Sequence, residues 1–130
     1  MRFELQRVEY MPKDLQPGVL YVSEAFGTAA HLCACGCGSK IRTPLGPTEW
    51  SVRAMREGPS LRPSVGNWQK PCRSHYVIDR GEVIWGRPWS AKKVEAGRRA
   101  EAQRREAYYA AQARKRRFRV WDWFVKIFGL

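Results

Sequence analysis

His31-Leu32-Cys33-Ala34-Cys35-Gly36-Cys37-Gly38 carries three of the four cysteines and one of the two histidines in a chain of 130 residues. The other cysteine and histidine, Cys72 and His75, stand three positions apart in a second short segment. Every soft metal ligand of the protein therefore falls in one of two places. Zinc-type ions are held tetrahedrally by thiolate and imidazole, so these two places can be drawn together around one ion. On a flat strand, successive same-face residues lie about 6–7 Å apart. Cys33, Cys35 and Cys37 converge only if the chain curls, and Gly36 and Gly38 supply that freedom. Cys72 would then staple the curled turn to the start of the last hairpin. Three readings stand open: a four-thiolate site of Cys33, Cys35, Cys37 and Cys72; a site in which His31 or His75 replaces one thiolate; and reduced cysteines without a metal. A closed site of the first kind is structural, and the sequence has no His-Glu-x-x-His helix for hydrolysis at the metal.

Size and charge bound the rest. The length suits one modest domain with an appendage, small enough that a metal crosslink matters for stability. The first residues, Met1 to Arg7, are charged and alternating, unlike a secretory signal. No apolar run reaches the roughly 20 residues needed to span a bilayer. The expected location is cytoplasmic, where clustered thiolates hold metals more often than they form disulfides. The net charge of +12 is unevenly placed. Residues 1–91 carry 12 basic and 8 acidic side chains, whereas residues 92–119 carry 11 basic and 3 acidic ones. Any anionic partner is therefore an expectation about the second segment.

The pattern from residue 1 to 89 predicts a mainly β fold, a small zinc-stapled β domain. Phe3, Leu5, Val8 and Tyr10 suggest an opening strand, and Val19-Leu20-Tyr21-Val22 a buried one. Ala29–Cys33, Lys40–Thr43 and Trp50–Ala54 read as further strands. The Gly58–Gly66 stretch holds two prolines and is expected to be a loop with little regular pairing. Tyr76–Ile78 and Glu82–Trp85 flank Asp79-Arg80-Gly81 and predict a hairpin. Residues 90–117, rich in Ala, Arg, Glu and Gln, predict a long basic helix. Residues 118–130 form an aromatic amphipathic tail. If helical, it gathers Trp121, Phe124, Val125 and Phe128 on one face. That tail has three candidate partners: the β core itself, a second protein, or an anionic membrane surface, which would make the protein peripheral to a membrane. The basic helix could also neutralise nucleic-acid phosphates.

With four thiolates on a metal, both histidines are free. His75 is then available as a general base toward Ser64 in the Arg62-Pro63-Ser64-Val65-Gly66 segment. Asp79, Glu82 or His31 are the candidates to orient His75, and Gly66 could offer a backbone amide to an oxyanion. Serine beside proline is also ordinary turn composition.

Three separated motifs occur in order: Ala30–Gly38, Leu61–Trp68 and Cys72–Trp85. Together they resemble a small bacterial and phage family of unassigned zinc-binding domains over roughly residues 18 to 87. Some members are encoded beside ubiquitin-like proteins and E1- and E2-like enzymes. The basic helix and aromatic tail resemble, less specifically, C-terminal extensions of those members. The resemblance implies a zinc-stabilised serine-type peptidase that processes or deconjugates a ubiquitin-like protein, with Ser64 as nucleophile, His75 as base and His31 as a third participant. It also implies the ubiquitin-like protein or its E1/E2-like enzymes as partners, docked by the helix and tail. The rival expectations are a noncatalytic zinc-binding adaptor of the same pathway and a nucleic-acid-binding protein.

Overall fold

The protein is described here by a computed structural model covering residues 1–87 and 89–128, the side chain of Phe128 excepted. Expectations that touch Pro88, Gly129, Leu130 and the Phe128 side chain lie outside the described residues. Two units are distinguished, Met1–Ser90 and Ala91–Leu130.

The first unit contains eight strands in two four-stranded sheets. The first sheet has the order β1 (Glu4–Arg7), β2 (Val19–Ser23), β3 (Thr28–Leu32), β4 (Lys40–Pro44). The second has the order β5 (Ser51–Met55), β6 (Gly58–Gly66), β7 (His75–Asp79), β8 (Glu82–Trp85). All pairings are antiparallel except β1 with β2. Parallel neighbours need a crossover connection, and the chain between Arg7 and Val19 provides it.

One core lies between the sheets. Phe3, Leu20, Val22, Ala29 and Ile41 from the first sheet and its N-terminal lead-in meet Leu61, Val65, Tyr76 and Ile78 from the second. Side chains such as Leu20, Leu61 and Ile78 have no exposure left, and each such burial contributes about 1.5–3 kcal/mol before the entropy of ordering is counted. The apolar run at Val19–Val22 is explained by period two. Leu20 and Val22 face this core, while Tyr21 packs with Leu15 and Ala30 on the outer side of the sheet. The crossover supplies Met11 and Leu15 to that outer cluster, so β2 is covered on both faces. Phe3 also ties the sheets together through its amide, which donates to the Gly81 carbonyl at 2.6 Å.

The Gly58–Gly66 segment corrects the loop expectation. It forms β6, the longest strand, paired with β5 on one side and β7 on the other. Its prolines sit where the ladder asks them for no N–H. Pro59 instead accepts from the Gly81 amide at 2.8 Å, and Pro63 falls in the register break between Leu61 and Val65. The hairpin expectation holds. Asp79 pairs with Glu82 around Arg80 and Gly81, whose φ angles of 50° and 83° make a two-residue turn matched to strand twist.

The second unit is one helix, α1, Ala91–Phe128. Only Gly97 interrupts its good helix formers, and Glu101–Arg105 and Asp122–Lys126 pair one turn apart at 3.6 and 3.5 Å. The helix does not end at Arg117. The aromatic tail is its last three turns, continuous with the basic stretch. Among the described residues no helix is long and apolar enough to cross a membrane.

Candidate active site and metal centre

The metal-ligand cluster is built by two loops at one end of the sandwich. Residues 33–39 join β3 to β4, and the Cys33 amide donates to Ser39 O at 2.8 Å, closing the turn. Gly36 and Gly38 take φ of 88° and 81°, the left-handed conformation the curl demands. Residues 67–74 join β6 to β7 and are held by Asn67 N–H to Ser74 O at 2.8 Å and Lys70 N–H to Asn67 O at 3.0 Å. Cys72 reaches across from this second loop.

The four sulfurs lie within 4.8 Å of one another. Cys33–Cys35, Cys33–Cys72 and Cys37–Cys72 are separated by 3.4, 3.9 and 3.8 Å. Those values are far beyond the roughly 2.05 Å of a disulfide, and all four cysteines are free. Thiolates about 2.3 Å from a tetrahedral centre stand about 3.8 Å from each other, so the donor set fits one metal ion. Asn67, itself buried, donates its side-chain amide to Cys33 Sγ at 3.4 Å, the kind of outer hydrogen bond that orients a ligand. The thiols are unequal. Hydrogen bonds from Ser39 bring Cys37 down to about 6, bonds from Ser74 lower Cys72, and burial pushes Cys33 up to about 11. Neither histidine belongs to the cluster.

Ser64 and His75 meet beside this centre. Gly66 stands opposite His75 in the β6–β7 ladder, so Ser64, two residues earlier, projects from the same face. His75 Nε2 lies 3.0 Å from Ser64 Oγ. His75 Nδ1 lies 2.8 Å from the Arg87 carbonyl. A carbonyl oxygen only accepts, so Nδ1 carries the proton and Nε2 presents its lone pair to the serine hydroxyl. Both side chains are half-buried and reachable from solvent.

Aromatic packing fixes the imidazole. Trp68 and Trp89 stack on each other at 5.5 Å and contact the His75 ring at 5.1 and 5.2 Å. Arg73 lies over Trp68 at 5.9 Å and donates to the Trp89 carbonyl at 2.8 Å. Gly66 is required by this packing, because a Cβ there would come within 2.5 Å of the Trp68 indole nitrogen.

The proposed orienting residues lie elsewhere. Asp79 accepts from Arg62 at 2.9 Å, and Glu82 faces Arg2 at 3.5 Å. His31 is fully buried between the sheets, where its Nε2 is 2.7 Å from the Tyr76 hydroxyl and its Nδ1 has no hydrogen-bond partner. Neither of its nitrogens touches Ser64 or His75. Burial holds its pKa down to about 4, so it is neutral. The Tyr76 hydroxyl also accepts from the Ala34 amide at 3.4 Å. His31 thus belongs to a buried network under the cysteine turn.

The sequence did not single out Arg87, Trp68, Trp89 or Arg73 for roles here. Arg87 acts through a backbone carbonyl, which any residue supplies, and no residue type announces it. Trp68 and Arg73 did stand inside the Leu61–Trp68 and Cys72–Trp85 motifs, which pointed toward the site without giving either a role.

No curated protein matches the chain, and no solved structure matches it. A family model described as bacterial ubiquitination-like system serine protease (BubE) matches residues 7–86, from the last residue of β1 to just past the end of β8. With the match covering most of the chain and enclosing both the cysteine cluster and the Ser64–His75 pair, the protein belongs to the BubE family.

Proposed function

We propose that this protein is a serine peptidase that cuts at the C-terminus of a bacterial ubiquitin-like protein, releasing a C-terminal extension or a conjugated partner. The observation that carries the reading is the relay from Ser64 Oγ through His75 to the Arg87 carbonyl, at 3.0 and 2.8 Å. Ser64 Oγ attacks the scissile carbonyl carbon as its proton passes to His75 Nε2. The tetrahedral species collapses when His75 returns that proton to the leaving amine, which departs and leaves an acyl ester on Ser64. A water then gives its proton to His75 and attacks the ester. Ser64 regains its proton, and the modifier leaves with a free carboxylate.

The third member is a neutral carbonyl. It fixes the ring orientation and tautomer but stabilises the imidazolium less than a carboxylate would. Gly66 is the proposed oxyanion donor. The Asn67–Ser74 bond marks a hydrogen-bonded pair, and ladder alternation then turns the Gly66 amide away from β7, where it is open to a substrate oxygen.

Cys33, Cys35, Cys37 and Cys72 are proposed to hold zinc. When bound it would supply a structural crosslink between the β3–β4 turn and the β6–β7 loop, with no open position for substrate. The loop it holds carries Trp68, and through Trp68 the metal end supports the posture of His75.

The test is hydrolysis of a bacterial ubiquitin-like protein bearing a C-terminal extension, followed by mass spectrometry. Wild type should release the extension, and Ser64→Ala and His75→Ala should not. Cleavage persisting in both variants would overturn the serine mechanism.

A further inference from the structure

The last turns of α1 take no part in the proposed chemistry, yet they carry a run of exposed large apolar side chains. Phe118, Val120, Trp121, Trp123 and Ile127 are all more than half exposed, from 56% to 71%. Trp121 stacks on Phe124 at 6.2 Å. At 100° per residue, the apolar positions from Trp123 round to Phe118 sweep about 220° of the helix circumference. Arg119, Asp122 and Lys126 fill the remainder. Lys126 and Asp122 pair with each other at 3.5 Å, which neutralises most of that polar strip. Immediately upstream, Arg114, Lys115, Arg116 and Arg117 are exposed and, with Arg119, make a collar of five cations within six residues.

The width of the apolar arc discriminates between occupants. A helical partner binds a narrow seam of residues repeating every 3.5 positions and would leave most of this arc wet. The boundary between lipid headgroups and acyl chains surrounds a cylinder to whatever depth it sinks, so an arc of this width suits it. Tryptophan is favoured at that boundary, and a basic collar complements anionic headgroups. Residues 118–127 extend about 15 Å as a helix, half of the roughly 30 Å hydrocarbon thickness, so the segment docks on a bilayer and does not span it.

We propose that residues 114–127 are an interfacial docking helix that tethers the protein to an anionic lipid surface. The full-length protein would be sedimented with vesicles of phosphatidylcholine and phosphatidylglycerol in equal amounts, and with phosphatidylcholine alone. Binding should require phosphatidylglycerol and should weaken with added salt. Replacing Arg114, Lys115, Arg116 and Arg117 by Gln should reduce partitioning at least ~10-fold. Trp121→Ala with Trp123→Ala should produce a comparable loss, while circular dichroism shows the helix retained in both variants. No phosphatidylglycerol-dependent sedimentation would overturn the proposal. So would undiminished binding by the tryptophan variant, since charge alone would then account for it. A stable lipid-free dimer abolished by that same variant would assign the face to a second copy of the chain. Binding to duplex DNA that needs the cations but not the tryptophans, without vesicle binding, would assign the segment to nucleic acid.

Discussion

The two histidines occupy opposite kinds of site in one small sandwich. His31 sits between the sheets with no exposure, its pKa held down to about 4 by burial, one nitrogen near a tyrosine hydroxyl and the other without a partner. His75 stands at the rim, half-buried, with both nitrogens engaged by groups of different chemical type. A general base needs a fixed tautomer, a reachable lone pair and a proton donor in line. The rim provides all three, whereas His31 has a hydroxyl within reach but no exposure through which a substrate could meet it. Histidine count alone would weigh the two equally; only their surroundings separate a buried ring from one set beside a serine hydroxyl.

The sharpest way to break this contrast is substitution at the rim. Ser64→Ala should lower cleavage of a ubiquitin-like precursor by roughly 10³-fold or more, with the melting temperature unchanged. His75→Ala should do nearly as much. A fall in melting temperature parallel to the loss of activity would mean the pair is structural.

Next comes the cysteine cluster, whose β6–β7 loop also carries Trp68. Structural zinc in small domains binds with apparent free energies of about 10–16 kcal/mol, comparable to the whole ~5–15 kcal/mol stability of a domain. Chelation, or Cys72→Ala, should therefore unfold the β domain. Elemental analysis of the wild type should give one metal per chain. A chelated protein with native circular dichroism and undiminished activity would show that the cysteine turn holds nothing.

The third test is at the interior histidine. His31→Leu removes one of the partners of the buried Tyr76 hydroxyl and should cost about 1–3 kcal/mol, read as a drop in denaturation midpoint. The turnover of the folded fraction should stay within a few-fold of wild type. A loss matching that of His75→Ala at unchanged stability would make His31 a catalytic participant.

An effect of similar size but confined to the rim is expected from the packing around His75. Gly66→Ala places a methyl within 2.5 Å of the Trp68 indole and should displace the ring, at about 1–3 kcal/mol for overpacking. Trp68 fluorescence should shift in that variant. An unaltered spectrum and activity would mean the indole does not hold the imidazole in place.

How far the sequence disclosed these features depended on whether side chains or backbone carried them. The strands β2, β7 and β8 were legible, since β-branched and aromatic runs bounded by turn residues have few other uses. The cysteine cluster was legible for the same reason: three thiols beside two glycines, with a fourth thiol far off, suit a turn closed on an ion. The Gly58–Gly66 strand was hidden by its prolines, because whether proline breaks a ladder depends on whether its N–H would have been needed. Pro59 and Pro63 lie where it was not. The partner of His75 could not be read at all. Asp79, Glu82 and His31 were the candidates, but the arginines Arg62 and Arg2 face the two carboxylates, His31 lies against Tyr76, and the group at His75 Nδ1 is the main-chain carbonyl of Arg87. The continuity of α1 into the aromatic segment was visible only as an absence of proline and glycine between Arg98 and Phe128.

Reaction with a fluorophosphonate, a reagent that esterifies serines activated by a neighbouring base, tests the central claim most directly. Peptide mass spectrometry should locate a single adduct on Ser64 in the wild type, and His75→Ala should abolish it while His31→Leu retains it. An adduct on another serine, or equal labelling of Ser64 in the His75→Ala protein, would contradict the assignment of Ser64 and His75 as nucleophile and base.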